Sequence, residues 1–409
     1  MELLLKKYAE LAIKIGLNLQ PGQSLVITST LENPHFTHLV VEEAYKAGAS
    51  KVDVEWSDPY LDKLRYAYES EEVLSTIPEY EIAKKKALVE SKSAMMSIGS
   101  PNPSILKEVD PAKIQLVQRA TSKALSFYRT YRSNSESQWL GLCIPNSVWA
   151  SLVYKDDSSE KAMERLWMAI FESCRINEKD DAIALWKEHV DRLLKHREIL
   201  TQHAFKELRF KNSLGTDLQV GLVSNHQWSG GLEVTPEGIG FTPNLPTEEI
   251  FCMPHRLNVN GKVVATKPLN VQGKLVEDFY FVFKDGKVVE YDAKVNKEAL
   301  THLLETDEGA THLGEVALIS NDSPISNMNL IFYNTLYDEN ASCHLALGNC
   351  YGSNLKGSSS MTKEQMQEMG ANFSMIHCDF MFGNEDMEVV GVKEDGSQVA
   401  LFKQGNFII

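Results

Sequence analysis

The sequence predicts a protein of the α/β and α+β classes, with an N-terminal parallel α/β domain followed by a mixed, β-rich C-terminal domain. Three observations support this prediction. Strand and helix patterns alternate near the N-terminus, amphipathic helical patterns fill the middle of the chain, and short strands with tight turns dominate after residue 205. A chain of 409 residues is also long for a single core. We therefore place an N-terminal α/β domain with a helical connecting region at 1–205 and a second domain at 206–409.

The N-terminal part alternates its patterns in a way that favours a parallel sheet. Apolar residues recur at helical spacing over residues 2–16, and Pro34 and Gly48 suit the first turn and the C-terminal end of the next helix. A strand, a helix and a second strand within about thirty residues form a βαβ unit, whose strands run parallel. The predicted elements are helices at 2–16, 34–47 and 79–91 and strands at 24–28, 51–56 and 94–98.

This part lacks the signatures of nucleotide binding. No G-x-G-x-x-G follows its first strand, and it has no phosphate-loop lysine motif. We therefore expect the N-terminal domain to serve as a scaffold or in oligomerisation.

The middle of the chain carries two helical patterns, at 159–174 and 180–202. The second contains three histidines at seven-residue spacing, His189, His196 and His203. Neighbours in this stripe lie about 10 Å apart at 1.5 Å per residue, which is too far to share an ion. We predict that they are surface or interface histidines.

The chain after residue 205 consists of short strand patterns joined by tight turns. Asp285-Gly286 is a strong hairpin signal between two of these runs. The predicted elements are strands at 207–211, 217–222, 262–266, 279–283 and 288–291 and a helix around 297–305.

Composition and charge exclude several classes of function. The formal net charge of −15 argues against nucleic acid and anionic membranes as partners, because both favour clustered Lys and Arg. No stretch approaches the roughly 18 apolar residues of a membrane span, and the N-terminus lacks a signal-peptide pattern. The six cysteines have no CxxC spacing, which favours reduced thiols. The expected location is the cytoplasm.

Histidine and carboxylate residues concentrate in the last third of the chain. In a strand, His377 and Asp379 point to one face and Cys378 points to the other. The pair is either two metal ligands or a hydrogen-bonded couple, and their spacing leaves both open. Glu315 enters an apolar strand, where it either meets a partner or caps the strand end and faces water.

Two further segments carry candidate groups. Glu339 is predicted to lie in a turn before a helix that begins at about Asn340 or Ser342, contains His344 and ends at Gly348. Glu339 and His344 then either converge on one ion or form a capping region with a hydrogen-bonded histidine.

The adjacent glutamates Glu248 and Glu249 cannot both face inward from an extended segment, so one points inward and the other outward. Such a doublet is more often a solvated pair, which is the favoured interpretation of these two residues on their own.

Other hydrolase chemistries lack their local signatures. The sequence has no H-E-x-x-H and no G-x-S-x-G. Cys343 is adjacent to His344, but adjacency in sequence does not provide the spatial pairing that a thiol nucleophile needs.

Four segments, in order along the chain, share the motifs of one family. They read LPTEEIF at 245–251, LGEVAL at 313–318, YNTLYDENASCH at 333–344 and HCDFM at 377–381. The chain resembles the M29 (thermophilic) aminopeptidases, the family of aminopeptidase T and aminopeptidase S, over its whole length.

The resemblance implies a metalloaminopeptidase that hydrolyses N-terminal residues from short peptides through a water activated by two divalent metal ions, either Zn, Co, Mn or Mg. It implies that 206–409 is the metal-binding catalytic domain, that the protein is a homodimer, and that Tyr351 is a catalytic tyrosine. Glu248 is the further candidate for the general base or for the anchor of the substrate amine. The implied metal ligands are Glu249, Glu315, Glu339, His344, His377 and Asp379.

Two other functions remain open at this point. A metal-dependent hydrolase of another amide class, such as a dipeptidase or an acyl-amino-acid hydrolase, would show no preference for a free amine. A non-enzymatic, metal-stabilised binding protein would show no peptide turnover.

Overall fold

The computed structural model describes residues 1–271 and 273–409. They form two compact units, the first comprising Met1–Glu188 and Leu232–Leu245 and the second His189–Gly231 and Pro246–Ile409. The chain thus leaves the first unit after Glu188 and returns to it for one short segment. The sequence-based division between residues 205 and 206 stays a prediction.

The α-helices lie mostly in the first 203 residues. They are α1 (Glu2–Leu11), α2 (Pro34–Lys46), α3 (Pro59–Tyr68), α4 (Glu71–Leu74), α5 (Glu79–Glu90), α6 (Pro111–Ala124), α7 (Ser126–Ser133), α8 (Ser147–Val153), α9 (Ser159–Ser173), α10 (Ala182–His203), α11 (Lys297–Leu304), α12 (Pro324–Asn327), α13 (Thr335–Asp338) and α14 (Lys363–Glu368). A π-helical turn at Ala12–Gly16 and 3₁₀ turns at Glu308–Thr311, Glu339–Ala341, Gly352–Asn354 and Ser358–Ser360 complete the helical elements.

The strands occupy both units. They are β1 (Ser24–Thr30), β2 (Lys51–Ser57), β3 (Ala94–Gly99), β4 (Trp139–Cys143), β5 (Glu207–Lys211), β6 (Asp217–Leu222), β7 (Glu233–Val234), β8 (Gly240–Phe241), β9 (Asn244–Leu245), β10 (Ile250–Cys252), β11 (Pro254–Val264), β12 (Leu269–Val271), β13 (Lys274–Lys284), β14 (Lys287–Val295), β15 (Leu313–Leu318), β16 (His344–Gly348), β17 (His377–Met381), β18 (Glu388–Val392), β19 (Gln398–Lys403) and β20 (Asn406–Phe407).

The first unit is built on a parallel sheet in the order β2-β1-β3-β4-β9. Residues of β1 pair in parallel with both β2 and β3, which confirms the predicted βαβ organisation. The helix between β1 and β2 starts where the Asn33 side chain accepts a hydrogen bond from the Phe36 N–H, and Pro34 fills its first turn. Phe36 stacks on Tyr8 of α1, with ring centroids 5.1 Å apart, and this contact anchors both helices in the core.

The second unit contains two antiparallel sheets. The larger one follows the order β12-β13-β11-β6-β5-β18-β19-β20, with β14 paired to β13. The smaller one follows the order β10-β15-β16-β17, and its two central strands, β15 and β16, are buried at every residue. Buried Phe279, Phe281 and Phe380 pack edge to face, with centroids 5.1–6.0 Å apart, and join strands of the two sheets. This arrangement confirms the predicted mixed, β-rich C-terminal part.

The helix predicted around His344 is wrong. Residues 344–348 form β16, and the helical turns precede it, in α13 and in the 3₁₀ turn at Glu339–Ala341. Ser342 is already extended, with φ −164° and ψ 170°. A fully buried central strand is apolar on both faces, so its short run carries no period that separates it from a helix.

The prediction of surface or interface histidines fails for His189. This residue is 2% exposed, because it lies on the inward face of α10 with buried Trp186, Val190 and Leu193. His196 instead stacks on Phe407 at a centroid distance of 4.3 Å.

All six cysteines are free thiols. Within the described ranges, no helix combines the length and the apolar composition needed to cross a membrane.

Candidate metal centre

The smaller sheet of the second unit gathers most of the predicted ligands on one face. Glu315 of β15 and Asp379 of β17 both pair with Ala346 of β16, and His377 pairs with Gly348. Residues that pair across an antiparallel ladder share a face, and so do residues two apart in one strand, which adds His344 to this face. The two residues between the donors, Ala346 and Gly348, have the smallest side chains, so the donor groups can approach one another.

The donor atoms form two groups that share Glu315. In the first, the Nε2 atom of His344 lies 3.4 Å from Oε2 of Glu249 and 3.3 Å from Oε1 of Glu315. In the second, the Nε2 atom of His377 lies 3.6 Å from Oε2 of Glu315 and 3.3 Å from Oδ1 of Asp379. Within each group the potential ligand atoms are all within 4.8 Å of one another. Each oxygen of Glu315 therefore faces a different group.

Backbone carbonyls orient both imidazoles. The Nδ1 atom of His344 donates to the Glu339 carbonyl at 2.9 Å, and that of His377 donates to the Asn349 carbonyl at 2.7 Å. A carbonyl oxygen only accepts, so the proton of the neutral ring lies on Nδ1 and the Nε2 lone pair faces the carboxylates. This is the arrangement that a metal-ligating histidine requires.

The negative charge of the carboxylates at this centre favours the binding of a cation. Burial, and then the neighbouring Glu249 carboxylate, raise the pKa of Glu315. Burial alone would lower the pKa of His344, but hydrogen bonds to Glu249 and Glu315 raise it well above its ordinary value. In the metal-free protein, protons bound to the imidazole and carboxyl groups thus offset the negative charge of the buried carboxylates. Carboxylate and imidazole ligands are common to Zn, Mn and Co sites, so these residues fit divalent metal ions.

Glu339 lies beside the two groups but outside both of them. Burial raises the pKa of the Glu339 carboxyl well above the ordinary value, and the negative charges of Asp379 and Glu249 raise it further. The carboxyl therefore lies in the electric field of the cluster, while its main-chain carbonyl holds His344. Its role as a metal ligand stays a prediction.

Glu248 and Glu249 are not a solvated pair, so the favoured interpretation of this doublet is wrong. Glu249 points into the first donor group, and only 13% of its side chain is exposed. Glu248 is 7% exposed, its N–H donates to Oδ1 of Asn340 at 2.7 Å, and its Oε2 lies 3.7 Å from Nε2 of His189. The main chain here is held on two sides, because the Thr247 carbonyl accepts a hydrogen bond from His189 of α10 and the Glu248 N–H donates one to Asn340 of the 3₁₀ turn.

His189 is a candidate functional residue that the sequence analysis missed. Its Nε2 donates to the Thr247 carbonyl at 2.8 Å, and its Nδ1 accepts from Arg192 at 3.1 Å. The ring thereby ties the main chain just before Glu248 and Glu249 to α10. A sequence signal was available, because His189 lies within the apolar stripe of Trp186, Val190 and Leu193 rather than opposite it.

Replacing His189 with alanine is expected to weaken metal binding about tenfold, since ligands lose affinity when their supporting hydrogen bonds are removed. Titration of the metal-free protein with Zn²⁺ measures this, and H189Q, which keeps a side-chain donor, should recover part of the loss. H196A on the same helix is the control and should bind as the wild type does. Equal affinities for H189A and H196A would contradict the prediction.

Tyr351 lies next to the second donor group. Its ring centroid is 4.9 Å from that of His377 and 5.7 Å from that of Phe251, and the residue is 44% exposed. Burial of the hydroxyl raises the pKa of Tyr351, and the negative charges of the nearby carboxylates, of which Glu315 has the largest effect, raise it further. The hydroxyl therefore stays protonated at neutral pH and can donate a hydrogen bond.

Cys343 is a packing residue. Burial raises the pKa of its thiol to about 11, and its sulfur lies 3.4 Å from both the N and the O of Ile319. A protonated, buried thiol is a poor nucleophile.

The whole chain matches one family. Residues 1–407 match the family model described as thermophilic metalloprotease (M29). The chain belongs to the M29 family. This confirms the resemblance that was based on the four motifs.

Characterised M29 proteins resemble the chain over nearly its full length. Aminopeptidase 2 of Geobacillus stearothermophilus is 42% identical over 98% of this chain and 97% of its own. Aminopeptidase T of Thermus aquaticus is 38% identical over 99% of this chain and 98% of its own. The solved structure of wild-type AmpT from Thermus thermophilus has a TM-score of 0.92 and 37% identity, covering 99% of both chains. The prediction of a metal-dependent aminopeptidase is thereby confirmed at the level of the family.

Proposed function

We propose that this M29 protein removes N-terminal residues from short peptides with two divalent metal ions. The observation that supports it best is the position of Glu315, whose two oxygens face two separate donor groups. Glu315 would contribute to the binding of both ions. Glu249 and His344 would hold one of them together with Glu315, and His377 and Asp379 would hold the other. Glu339 completes the ligand set from the turn that precedes β16.

Each side chain has a task that follows from its position. When bound, the ions supply Lewis-acid polarisation of the scissile carbonyl and lower the pKa of the attacking water. The buried strands β15, β16 and β17 hold the ligands at fixed positions, which limits reorganisation during the reaction. Tyr351 donates a hydrogen bond to the oxyanion that develops on the substrate. Glu248 is the candidate for the general base or for the anchor of the substrate α-amino group.

The test is hydrolysis of leucyl-p-nitroanilide by purified protein. We expect turnover that is lost with a chelator, restored by Zn²⁺ or Co²⁺, and absent with the N-acetylated substrate. Turnover that survives complete metal removal would rule the proposal out. Equal turnover of free and acetylated substrates would favour another amide hydrolase, and no turnover of any peptide would favour a binding protein.

We propose that the protein acts in the cytoplasm and, as the family resemblance implies, as a homodimer. Light scattering coupled to size-exclusion chromatography measures the mass in solution, which for one chain is 46.0 kDa. A mass equal to that of a single chain would contradict the homodimer.

Replacing Tyr351 with phenylalanine is expected to lower kcat about 10²–10³-fold, the usual effect of removing one oxyanion donor. Metal content and KM should change little, because the phenyl ring keeps its contacts with His377 and Phe251. Y280F removes the hydroxyl of a partly exposed β13 tyrosine bonded to Glu290 and is the control. An unchanged kcat in Y351F would remove Tyr351 from the mechanism.

A further inference from the structure

The carbonyl group that orients His377 belongs to a short turn after β16. The Nδ1 atom of His377 donates to the Asn349 carbonyl at 2.7 Å, and Asn349 comes directly after Gly348, the last residue of the strand. A peptide plane is rigid, so the direction of a carbonyl is set by the contacts of the plane to which it belongs. The orientation of the His377 ring therefore depends on what holds the main chain from Gly348 to Cys350.

Asn372 holds this turn on both sides of Asn349. Its side-chain Nδ2 donates to the Gly348 carbonyl at 2.7 Å, and its main-chain carbonyl accepts from the Cys350 N–H at 3.0 Å. The first contact fixes the peptide plane before Asn349, and the second fixes the plane that contains the Asn349 carbonyl. The side chain of Asn372 is buried, so its hydrogen bonds are stronger than they would be in water.

The same amide ties the turn to the segment that leads into β15. The Nδ2 atom of Asn372 also donates to the Gly309 carbonyl at 2.8 Å and to the His312 carbonyl at 3.3 Å. Carbonyl oxygens only accept, so the amide nitrogen faces all three of its acceptors and the amide oxygen points away from them. Asn372 thus anchors the turn to the chain just before β15.

Gly314 of β15 lies against the same two carbonyls. A Cβ atom at this position would come within 2.3 Å of the Asn349 oxygen and 2.4 Å of the Gly348 oxygen, which is closer than real Cβ atoms approach. Both obstacles are main-chain atoms, so a larger residue at 314 would displace the turn itself. Glycine permits the close approach of the two main chains here. The Asn349 carbonyl is therefore held by Asn372 and packed against Gly314.

We propose that Asn372 is a positioning residue of the metal centre. With Gly314 it fixes the Asn349 carbonyl, and this carbonyl holds the imidazole of the second donor group in its metal-binding orientation. The inference rests on the proposed function, since it takes the second donor group to hold an ion. The effect is confined to that group, because the Glu339 carbonyl orients the imidazole of the first group instead.

The experiment is a calorimetric titration of the metal-free protein with Zn²⁺, which gives a Kd for each of the two ions. N372L removes the donor and keeps a side chain of similar shape. We expect it to weaken one ion about 10–100-fold, the usual cost of losing a hydrogen bond that supports a metal ligand, and to leave the other unchanged. N372S, which keeps a hydroxyl donor, should give an intermediate Kd. G314A should show the same selective loss.

A second comparison tests whether Asn372 acts through His377. The H377A variant lacks the imidazole that the turn orients. In this background N372L should cause no further loss of metal affinity, because the two substitutions remove the same interaction. A residue that only stabilises the fold would instead give additive effects.

N146L is the matched control for N372L. Asn146 is likewise buried, and its amide nitrogen donates to the Ser100 hydroxyl and the Pro101 carbonyl, both at 2.9 Å, in the first unit. N146L should lower the free energy of unfolding and leave both Kd values unchanged. G261A is the control for G314A, since its Cβ would come within 2.2 Å of the main-chain oxygen of Asp217 in the larger sheet.

Three results would overturn the proposal. They are wild-type affinity for both ions in N372L and G314A, equal weakening of both ions, and an additive effect of N372L in the H377A background. N372S and G314A provide the same comparison if N372L does not fold. Two bound ions and selective weakening without any peptide turnover would instead overturn the proposed function and leave the role of Asn372 standing.

Discussion

Glu315→Gln is expected to lower kcat/KM for leucyl-p-nitroanilide by about 10³-fold or more and to reduce the bound metal below two equivalents. The amide keeps one oxygen acceptor and replaces the other by a donor, so it can no longer serve both donor groups. Metal content and turnover, measured on the same preparation, test this together. E308Q replaces an exposed glutamate that pairs with Arg256 at 3.2 Å and should behave as the wild type does.

The metal-free form of E315Q has a second expected property. Removing one buried negative charge relieves its repulsion with Glu249 and Asp379, which contribute to the raised pKa of Glu315. We therefore expect metal-free E315Q to have a higher free energy of unfolding than the metal-free wild type. Full activity with two bound ions in this variant would contradict a role of Glu315 in holding both ions.

Complete metal removal is expected to abolish activity and to make stability depend steeply on pH. In the metal-free protein the pKa of His344 is raised well above 6.5 and that of His377 to about 10, in each case by carboxylates that outweigh burial. Burial first, and then neighbouring carboxylates, raise the pKa of Glu339. The folded state then holds more protons than the unfolded state, so the free energy of unfolding falls as the pH rises from about 5 to about 9.

Metal should flatten this slope, because binding releases the protons that the cluster holds. Burial alone would raise the pKa of Asp379, but the charge and hydrogen bond of His377, together with the charge of His344, outweigh it and lower this pKa. Its contribution is lost only as the pH falls below the ordinary range of an aspartate, outside this window. Denaturant unfolding at several pH values, with and without Zn²⁺, gives both slopes. A metal-free protein that becomes more stable toward pH 9 would contradict the prediction.

Most of the face that carries the predicted ligands could be inferred from the sequence. His377 and Asp379 lie two apart in a strand, so the period of two already placed them together. Glu315 was ambiguous, because a glutamate near a strand end also suits water. Only the pairing of Glu315 and Asp379 with the same Ala346 shows that this carboxylate points inward, and strand pairing is set by contacts distant in sequence.

The helix predicted around His344 was also wrong because the local sequence does not specify strand pairing. His344–Gly348 is a five-residue apolar run that pairs on both edges, and such a strand contains no alternation to read. The helix was predicted to begin at about Asn340 or Ser342, whereas the helical turns of the structure precede this point and end at Ala341. The bonds from His189 to Thr247 and from Glu248 to Asn340 join residues 58 and 92 positions apart, and no local pattern predicts them.

The order of the strands in the smaller sheet has a consequence for the biosynthesis of the enzyme. β15 and β17 meet only through β16, and β17, which carries the predicted ligands His377 and Asp379, comes last of the three in chain order. A growing chain on the ribosome therefore cannot close the second donor group until β17 has been synthesised. Such non-local pairing is slow compared with helix formation. We expect metal loading to follow the synthesis of β17, so that a polypeptide that lacks this strand remains without peptidase activity.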